Sequence, residues 1–451
     1  MLEKIKSAYM IGVGGISMSA IARFLKARGI EVYGSDLVYN DEVKGLVRDK
    51  IIEFRPFSAP SFVKKCDIII YTSAVSNKNT DILYAKMLGK PLYSRAEILG
   101  ELSKGKATIS VAGSHGKTTT TGLISSMFLK GKIKPNIHIG GVLNNINSNV
   151  LVTDSDIFIT EACEYKDSFL SLDSKISVIL NIKPDHLDYF NTLDNEFDSF
   201  QKFVDNTDKN GYVIVNNDDK LCRKLQINQN KLTFALKNDA DLQAKDVKKD
   251  KKGHFVINVC FKGENFGKIK IPCYGEHNIL NVLACCGVGI AFNLPFKQIK
   301  RGVESYKGTK RRFEIICERK KHMIVHDYAH HPDEIRATIK LCRQLRHGKL
   351  IVVFQPHTFS RTQALYDDFL KCFEGADEVW LLPIYPAREK PIKGISSYRL
   401  AQDLKKSKKN VKYFNNFDKC YDNIKQNKEK NVIFAILGAG DIEKLAYKFK
   451  K

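Results

Sequence analysis

The run Ser110-Val111-Ala112-Gly113-Ser114-His115-Gly116-Lys117-Thr118-Thr119-Thr120-Thr121 has the residue types of a loop that grips phosphate. Gly113 and Gly116 permit a tight turn whose N–H groups approach anionic oxygens. Lys117 offers an ammonium to β- and γ-phosphates, Thr118 offers a hydroxyl to a Mg2+ ion, and a helix starting here points its positive end at the ligand. The glycine usual six positions before the lysine is Val111 here, so the loop is a shortened form with Gly-x-x-Gly-Lys-Thr at its core. This predicts use of a nucleoside triphosphate and leaves its purpose open.

Other candidates follow predicted strands, where open parallel sheets bind ligands. Gly12-Val13-Gly14-Gly15-Ile16-Ser17 nearly matches the dinucleotide pattern, with Ser17 in place of the third glycine, and Asp36 ends the next strand. Three readings fit: NAD(P) with Asp36 on a ribose hydroxyl, any nucleoside diphosphate on a helix N-terminus, or a turn merely tightened by glycines. Glu161 and Glu164 follow the strand at 157–160, and His186 follows the strand at 177–180, inside Asn181-Ile182-Lys183-Pro184-Asp185-His186-Leu187-Asp188. Carboxylate and imidazole at neighbouring strand ends suit one or two Mg2+ ions, which need few protein ligands. His186 reads equally as a general base or a surface histidine. His277 and Asn278 either meet a base or phosphate or cap the helix after them, and spacing favours the cap. Arg311 and Arg312 suit a bidentate phosphate clamp or a solvated cluster. His330 and His331 suggest zinc, but no partner stands at metal-ligand spacing. Arg361, after Gln355-Pro356-His357, stands where a carboxylate could be received.

These residues need a frame of alternating strands and helices, the mark of parallel α/β sheets. Strands are predicted at 8–11, 29–36 and 67–71, with a helix over 18–27 and a polar helical stretch leading up to Lys106. Further strands fall at 322–325, 349–354, 378–382 and 432–437. Residues 1–105, 106–309 and 310–451 form three expected domains. The apolar run 282–292 reads as a buried helix, too short to span a membrane. With 43% hydrophobic residues the chain is globular. Eleven cysteines without a Cys-x-x-Cys pair argue against a zinc ribbon or disulfide framework and fit a reducing cytoplasm. The net charge of +23 comes from lysines spread along the chain, densest at Lys248, Lys249, Lys251 and Lys252 in an expected exposed hairpin. A solvated surface that attracts anionic substrates fits this better than nucleic-acid binding.

Taken in order, the motifs resemble the Mur ligases over essentially the whole chain. The resemblance is carried by Gly12-Val13-Gly14-Gly15-Ile16-Ser17-Met18-Ser19, the Gly-Ser-His-Gly-Lys-Thr loop, Glu161-Ala162-Cys163-Glu164, Asp185-His186-Leu187-Asp188, Gly275-Glu276-His277-Asn278, Arg311-Arg312-Phe313-Glu314, Asp327-Tyr328-Ala329-His330-His331-Pro332 and Gln355-Pro356-His357. It implies three α/β domains: a Rossmann-like N-terminal domain, a central P-loop ATPase-type domain and a Rossmann-like C-terminal domain. It implies ATP-dependent ligation of L-alanine to the lactyl carboxylate of UDP-N-acetylmuramate in cytoplasmic peptidoglycan precursor synthesis. A recycling ligase that joins a whole peptide to the same sugar is the alternative. The UDP-sugar would meet Gly14, Gly15, Ser17, Asp36 and Ser73, so the pyrophosphate on the first loop belongs to a substrate and not to NAD. ATP would meet Gly113, Ser114, His115, Gly116, Lys117, Thr118, Thr119, Asn278, Arg312 and Asp327. Thr118, Glu161 and His186 would serve Mg2+, and Tyr328, His330 and Arg361 the amino acid and the sugar's carboxylate. Lys117, Arg312 and His330 are the expected catalytic residues, His330 as the base. Two points depart from the family or stay unplaced. Many members carry a basic residue where Thr358 stands, and a carbamylated lysine, with Lys202 merely near the expected region, has no secure position. The oligomer is left as monomer or homodimer, with no membrane insertion.

Overall fold

The computed structural model describes residues 2–184, 186–251, 253–319, 322–345, 348–387, 389–407 and 410–450, and omits the side chains of Leu187 and Asp188. Asp185 and Lys252 therefore lie outside the described residues. The chain divides into two compact units, one of residues 1–248 and 255–308, the other of 249–254 and 309–451.

The first unit holds two sheets. β1 (Ser7–Ile11), β2 (Glu31–Asp36), β3 (Ile52–Pro56), β4 (Ile68–Tyr71) and β5 (Leu92–Ser94) form a parallel sheet of order β3-β2-β1-β4-β5. Every residue of β1 is buried, as a central parallel strand covered on both faces requires. The stretch before Lys106, read as helical, also contains β5, and its Arg95–Ser103 helix buries Ile98, Leu99 and Leu102. That helix begins on a capping box, Ser94 with Glu97.

The second sheet joins β6 (Ala107–Ala112), β7 (Asn136–Leu143), β8 (Ser148–Leu151), β9 (Ile157–Glu161), β10 (Ile176–Ile179), β11 (Tyr212–Asn216), β12 (Asn230–Ala235), β13 (Leu242–Lys249), β14 (Phe255–Phe261) and β15 (Glu264–Lys270). Its order is β15-β14-β13-β12-β11-β10-β6-β9-β7-β8. Lys248, Lys249 and Lys251 are exposed near the β13–β14 turn. The apolar run at 282–292 falls mostly in the His277–Ala291 helix, which packs on the Lys117–Leu129 helix. The two sheets share one core, in which Ile98, Leu99 and Leu102 meet Ala112, Phe158 and Phe169.

The second unit carries β16 (Glu314–Glu318), β17 (His322–Asp327), β18 (Lys349–Phe354), β19 (Glu378–Leu381), β20 (Asn410–Tyr413) and β21 (Val432–Leu437), in the order β16-β17-β21-β18-β19-β20. β21 is wholly buried and lies parallel to both neighbours. No described helix is long and apolar enough to cross a membrane.

Each sheet has one strand flanked by two others whose crossovers diverge: β1 between β2 and β4, β6 between β10 and β9, and β21 between β17 and β18. Such points open a crevice beyond the strand ends. Among the described residues, all the expected site residues except Asn278 and Arg312 end or follow one of these nine strands.

Candidate active site

At the end of β6, Gly113 (φ 138°) and Gly116 (φ 91°) hold conformations that side chains resist, and the Lys117–Leu129 helix starts from Gly116. The loop is fastened from β10. Ser114 N donates to Asn181 O (3.2 Å), His115 N to Asn181 Oδ1 (2.9 Å), and Asn181 Nδ2 returns a bond to His115 O (2.9 Å). Lys183 N donates to Ser114 Oγ at 2.8 Å.

Lys117 Nζ donates to Gly113 O (2.5 Å) and to both Glu164 oxygens (2.8 and 2.9 Å). The Glu164 side chain is fully buried. Burial pulls the Lys117 ammonium down, but the Glu164 carboxylate more than offsets it, so the pKa lies above the ordinary lysine value. Glu164, read from the sequence as a metal-site candidate, is thus the lysine's counter-ion.

Glu161 ends β9 and His186 follows β10, the two strands that flank β6. Glu161 Oε1 accepts from Gly140 N (2.7 Å), and a Cβ on Gly140 would stand 2.9 Å from Oε2. Only glycine there leaves the carboxylate its place. The His186 ring packs on Tyr165 at 4.7 Å, from a backbone with φ 51°. Among the described residues no three His, Cys, Asp or Glu side chains gather as a metal cage. The donor set Thr118, Glu161 and His186 instead suits Mg2+, which completes its shell with phosphate oxygens and water. Lys202 is exposed in the last turn of the Leu193–Asp205 helix.

Asn278 does not cap its helix. The N-cap is Glu276, and Asn278 sits in the first turn, donating to Tyr274 O (2.7 Å) and accepting from Asn281 Nδ2 (2.8 Å). A Cβ on Gly116 would stand 2.9 Å from Asn281 Oδ1, so this pair lies against the phosphate loop. Neighbouring His115 and, more strongly, burial hold the His277 pKa below the usual histidine value.

After β1, Gly12 has φ 82°, and a Cβ there would stand 2.6 Å from Thr72 Cγ2. Gly14 N donates to Asp36 Oδ2 (2.9 Å), Val38 N to Asp36 Oδ1 (3.2 Å), and Asn40 Nδ2 to Gly14 O (2.9 Å). Asp36 is buried and braces the loop through the Gly14 and Val38 N–H groups. Gly15 is the N-cap of the Ile16–Ala27 helix and makes no side-chain cap bond, and the N–H groups of a helix start can receive an anion. Ser17 Oγ meets His138 Nε2 (2.8 Å) and Arg95 Nη1 (3.3 Å), neither singled out by sequence. Ser73 is exposed just past β4.

In the second unit, Asp327 ends β17 and accepts from Phe313 N (2.7 Å) and Ala329 N (2.8 Å). Burial pushes its pKa up to about 6, against the pull of Arg312. Arg311 and Arg312 lie over the Tyr328 ring, at 4.6 and 5.3 Å. Arg311 Nη2 also donates to Ala439 O (2.9 Å) and Gly440 O (3.1 Å), tying the loop after β21 to this corner. His330 Nδ1 lies 3.0 Å from Tyr328 O and 3.4 Å from Glu334 Oε2. A carbonyl only accepts, so Nδ1 carries the proton and Nε2 keeps the lone pair. Burial holds the His330 pKa below the usual value, so the ring is neutral at pH 7. Arg361 Nη1 donates to His357 Nδ1 (3.1 Å), and the His330 and His357 rings lie 5.8 Å apart. Thr358 caps the short helix that carries Arg361. His331 stands 3.6 Å from Asp333.

The chain matches three family profiles: "Mur ligase family, catalytic domain" at residues 7–107, "Mur ligase middle domain" at 111–289, and "Mur ligase, glutamate ligase domain" at 311–440. It is 40% identical over 446 residues to a UDP-N-acetylmuramate–L-alanine ligase of Clostridium botulinum, covering 98% of this chain and 97% of that one. It is 39% identical to a ligase of the same name from Caldanaerobacter subterraneus, covering 99% and 98%. Its fold is similar to the crystal structure of a UDP-N-acetylmuramate-alanine ligase from Thermotoga maritima (TM-score 0.84, 26% identity, 99% and 98% covered). It also resembles a murein peptide ligase from Psychrobacter arcticus in fold (TM-score 0.72, 19% identity, 98% of each chain).

Proposed function

The chain belongs to the Mur ligase family, and from that premise we propose that it joins L-alanine to the lactyl carboxylate of UDP-N-acetylmuramate at the expense of ATP. The observation that carries this is the full-length likeness to ligases of that name, together with a largely buried lysine held inside a phosphate loop. It is a cytoplasmic step in peptidoglycan precursor synthesis.

A carboxylate is a poor electrophile because oxide is a poor leaving group. Transfer of the γ-phosphoryl group gives an acyl phosphate, the amine attacks its carbonyl carbon, and the tetrahedral intermediate expels phosphate. Phosphoryl transfer needs positioning and charge neutralisation more than covalent help. Lys117, already aimed into the loop by Gly113 O and Glu164, supplies one charge. Arg312 supplies another, with Asp327 beside it completing the ATP contacts. Thr118, Glu161 and His186 would hold Mg2+, which neutralises phosphate charge when bound. Gly113 to Thr119 and Asn278 receive the nucleotide. Gly14, Gly15, Ser17, Asp36 and Ser73 form the UDP-sugar site, Asp36 through the backbone it braces.

The attacking amine must lose a proton. His330 Nε2 is the base, and Glu334, facing the other nitrogen, stabilises the imidazolium that forms. Tyr328 and Arg361 receive the amino acid and the sugar's carboxylate.

The test is incubation with UDP-N-acetylmuramate, Mg·ATP and single amino acids, following ADP, phosphate and the amide. Amide with L-alanine is expected. Its absence overturns the proposal, and amide with a tripeptide alone assigns the recycling reaction instead.

A further inference from the structure

His138 lies in β7, is 3% exposed, and uses both ring nitrogens. Nδ1 stands 3.0 Å from Thr160 Oγ1, and the Thr160 hydroxyl donates to Glu161 O (3.1 Å). Since that hydroxyl spends its hydrogen on a carbonyl, it can only accept from the imidazole, so Nδ1 carries the proton. Burial, with Arg95 nearby, pushes the His138 pKa down to about 3, so the ring is neutral and Nε2 is an acceptor. Ser17 Oγ, 2.8 Å away, must then donate to it, and accepts in turn from Arg95 Nη1 (3.3 Å). Every proton is directed the same way: Arg95 to Ser17, to His138, to Thr160, to the Glu161 carbonyl. A guanidinium at the head and a carbonyl at the foot admit no reversal.

The chain passes through Ser17, in the first turn of the Ile16–Ala27 helix, and ends on Glu161, the last residue of β9, whose carboxylate accepts from Gly140 N. Two neighbouring contacts reinforce this path. Gly140, two residues after His138 on β7, donates to the Glu161 carboxylate, and Asn149 Nδ2 donates to Ile16 O (2.6 Å). Chains of hydrogen bonds polarise one another in a buried setting, so a shift at one end alters the bonds at the other.

We propose that His138 is a positioning residue that couples the sugar-nucleotide loop to the Glu161 carboxylate, so that filling one site tightens the other. This rests on the site assignments above: UDP-sugar at Gly14–Ser17 and a Mg·nucleotide beside Glu161. Coupling of this kind is reciprocal and is read as a ratio of dissociation constants.

The experiment is calorimetric and needs no turnover. The Kd of UDP-N-acetylmuramate is measured on the full chain alone and in saturating Mg2+ with a non-hydrolysable ATP analogue. The unmodified chain should bind the sugar nucleotide about five-fold or more tightly in the second condition. Thr160→Val keeps shape, removes the foot of the chain, and should leave the Kd measured alone within about two-fold while the ratio falls toward one. His138→Leu should do the same. His138→Asn, whose amide can replace only the Nδ1–H donor, should also lose the ratio, because Ser17 is left unlinked. A ratio near one in the unmodified chain, or an undiminished ratio in both Thr160→Val and His138→Leu with folding intact by circular dichroism, overturns the coupling. Failure of UDP-N-acetylmuramate to bind under any condition overturns the site assignment instead.

Discussion

The loops after β1 and β6 occupy equivalent places. Each leaves a strand held between two parallel neighbours, turns on glycines and starts a helix. Their charges differ. The β6 loop carries Lys117 paired with buried Glu164. The β1 loop has no cation of its own, and its acid, Asp36, is spent on backbone N–H groups. On the proposed function, one loop stores a charge to be handed to a transferring phosphoryl group, and the other holds a shape that would receive a phosphate ester unchanged. On that proposal the same turn would serve chemistry in one place and grip in the other, with the partner of one side chain deciding which.

The strongest way to break this contrast is Lys117→Ala. It should lower kcat by roughly 10²–10³-fold while the calorimetric Kd of UDP-N-acetylmuramate stays within about two-fold. Loss of both would mean that the loops are not separate in function. Next is Glu164→Gln, which leaves a largely buried ammonium without its counter-charge. The ligand-free chain should lose about 3 kcal/mol in denaturant unfolding, and Mg·ATP should restore part of it by supplying phosphate oxygens. An unchanged stability would show that the pair is not what holds Lys117.

Asp36→Ala leaves the Gly14 and Val38 N–H groups without their acceptor. KM for the UDP-sugar should rise about ten-fold, with kcat within about two-fold. A fall in kcat like that of Lys117→Ala would erase the distinction. A separate test is on pH. His138 has a folded pKa of about 3 against 6.5 for the ordinary group, so it is neutral when folded and takes up a proton on unfolding in acid. Its contribution to stability is fully present above pH 6.5 and is lost as pH falls toward 3. The expected slope is about 1.4 kcal/mol per pH unit in that window. His138→Leu should flatten the slope in acid unfolding curves without moving the neutral plateau by the same amount.

Much of this was legible in the chain. The two glycine loops, their strands and helices, and the order of polar strand ends follow from short runs whose backbone preferences are local. The edge strands β3 and β5 were missed because an edge has no continuous apolar run: β3 exposes Glu53, Arg55 and Pro56, and β5 is three residues long. Asn278 was misread as a cap because spacing does not reveal that the helix begins one residue earlier, at His277. Asn181, which fastens the phosphate loop from 66 residues away in sequence, and His138, which reaches Ser17 across 121, left no local signal.

The sequence by itself determined where phosphate could be gripped and that a lysine would be there, since positive φ at Gly113 and Gly116 and a helix start are properties of a few adjacent residues. It could not say which carboxylate would hold that lysine. Glu161 and Glu164 are alike in type and three residues apart, and both were candidates for metal. The strand order β10-β6-β9 and the turn after β9 put Glu164 against Lys117 and Glu161 over Gly140. The choice was tertiary because Coulomb attraction and burial depend on distance in space, and strand order sets that distance.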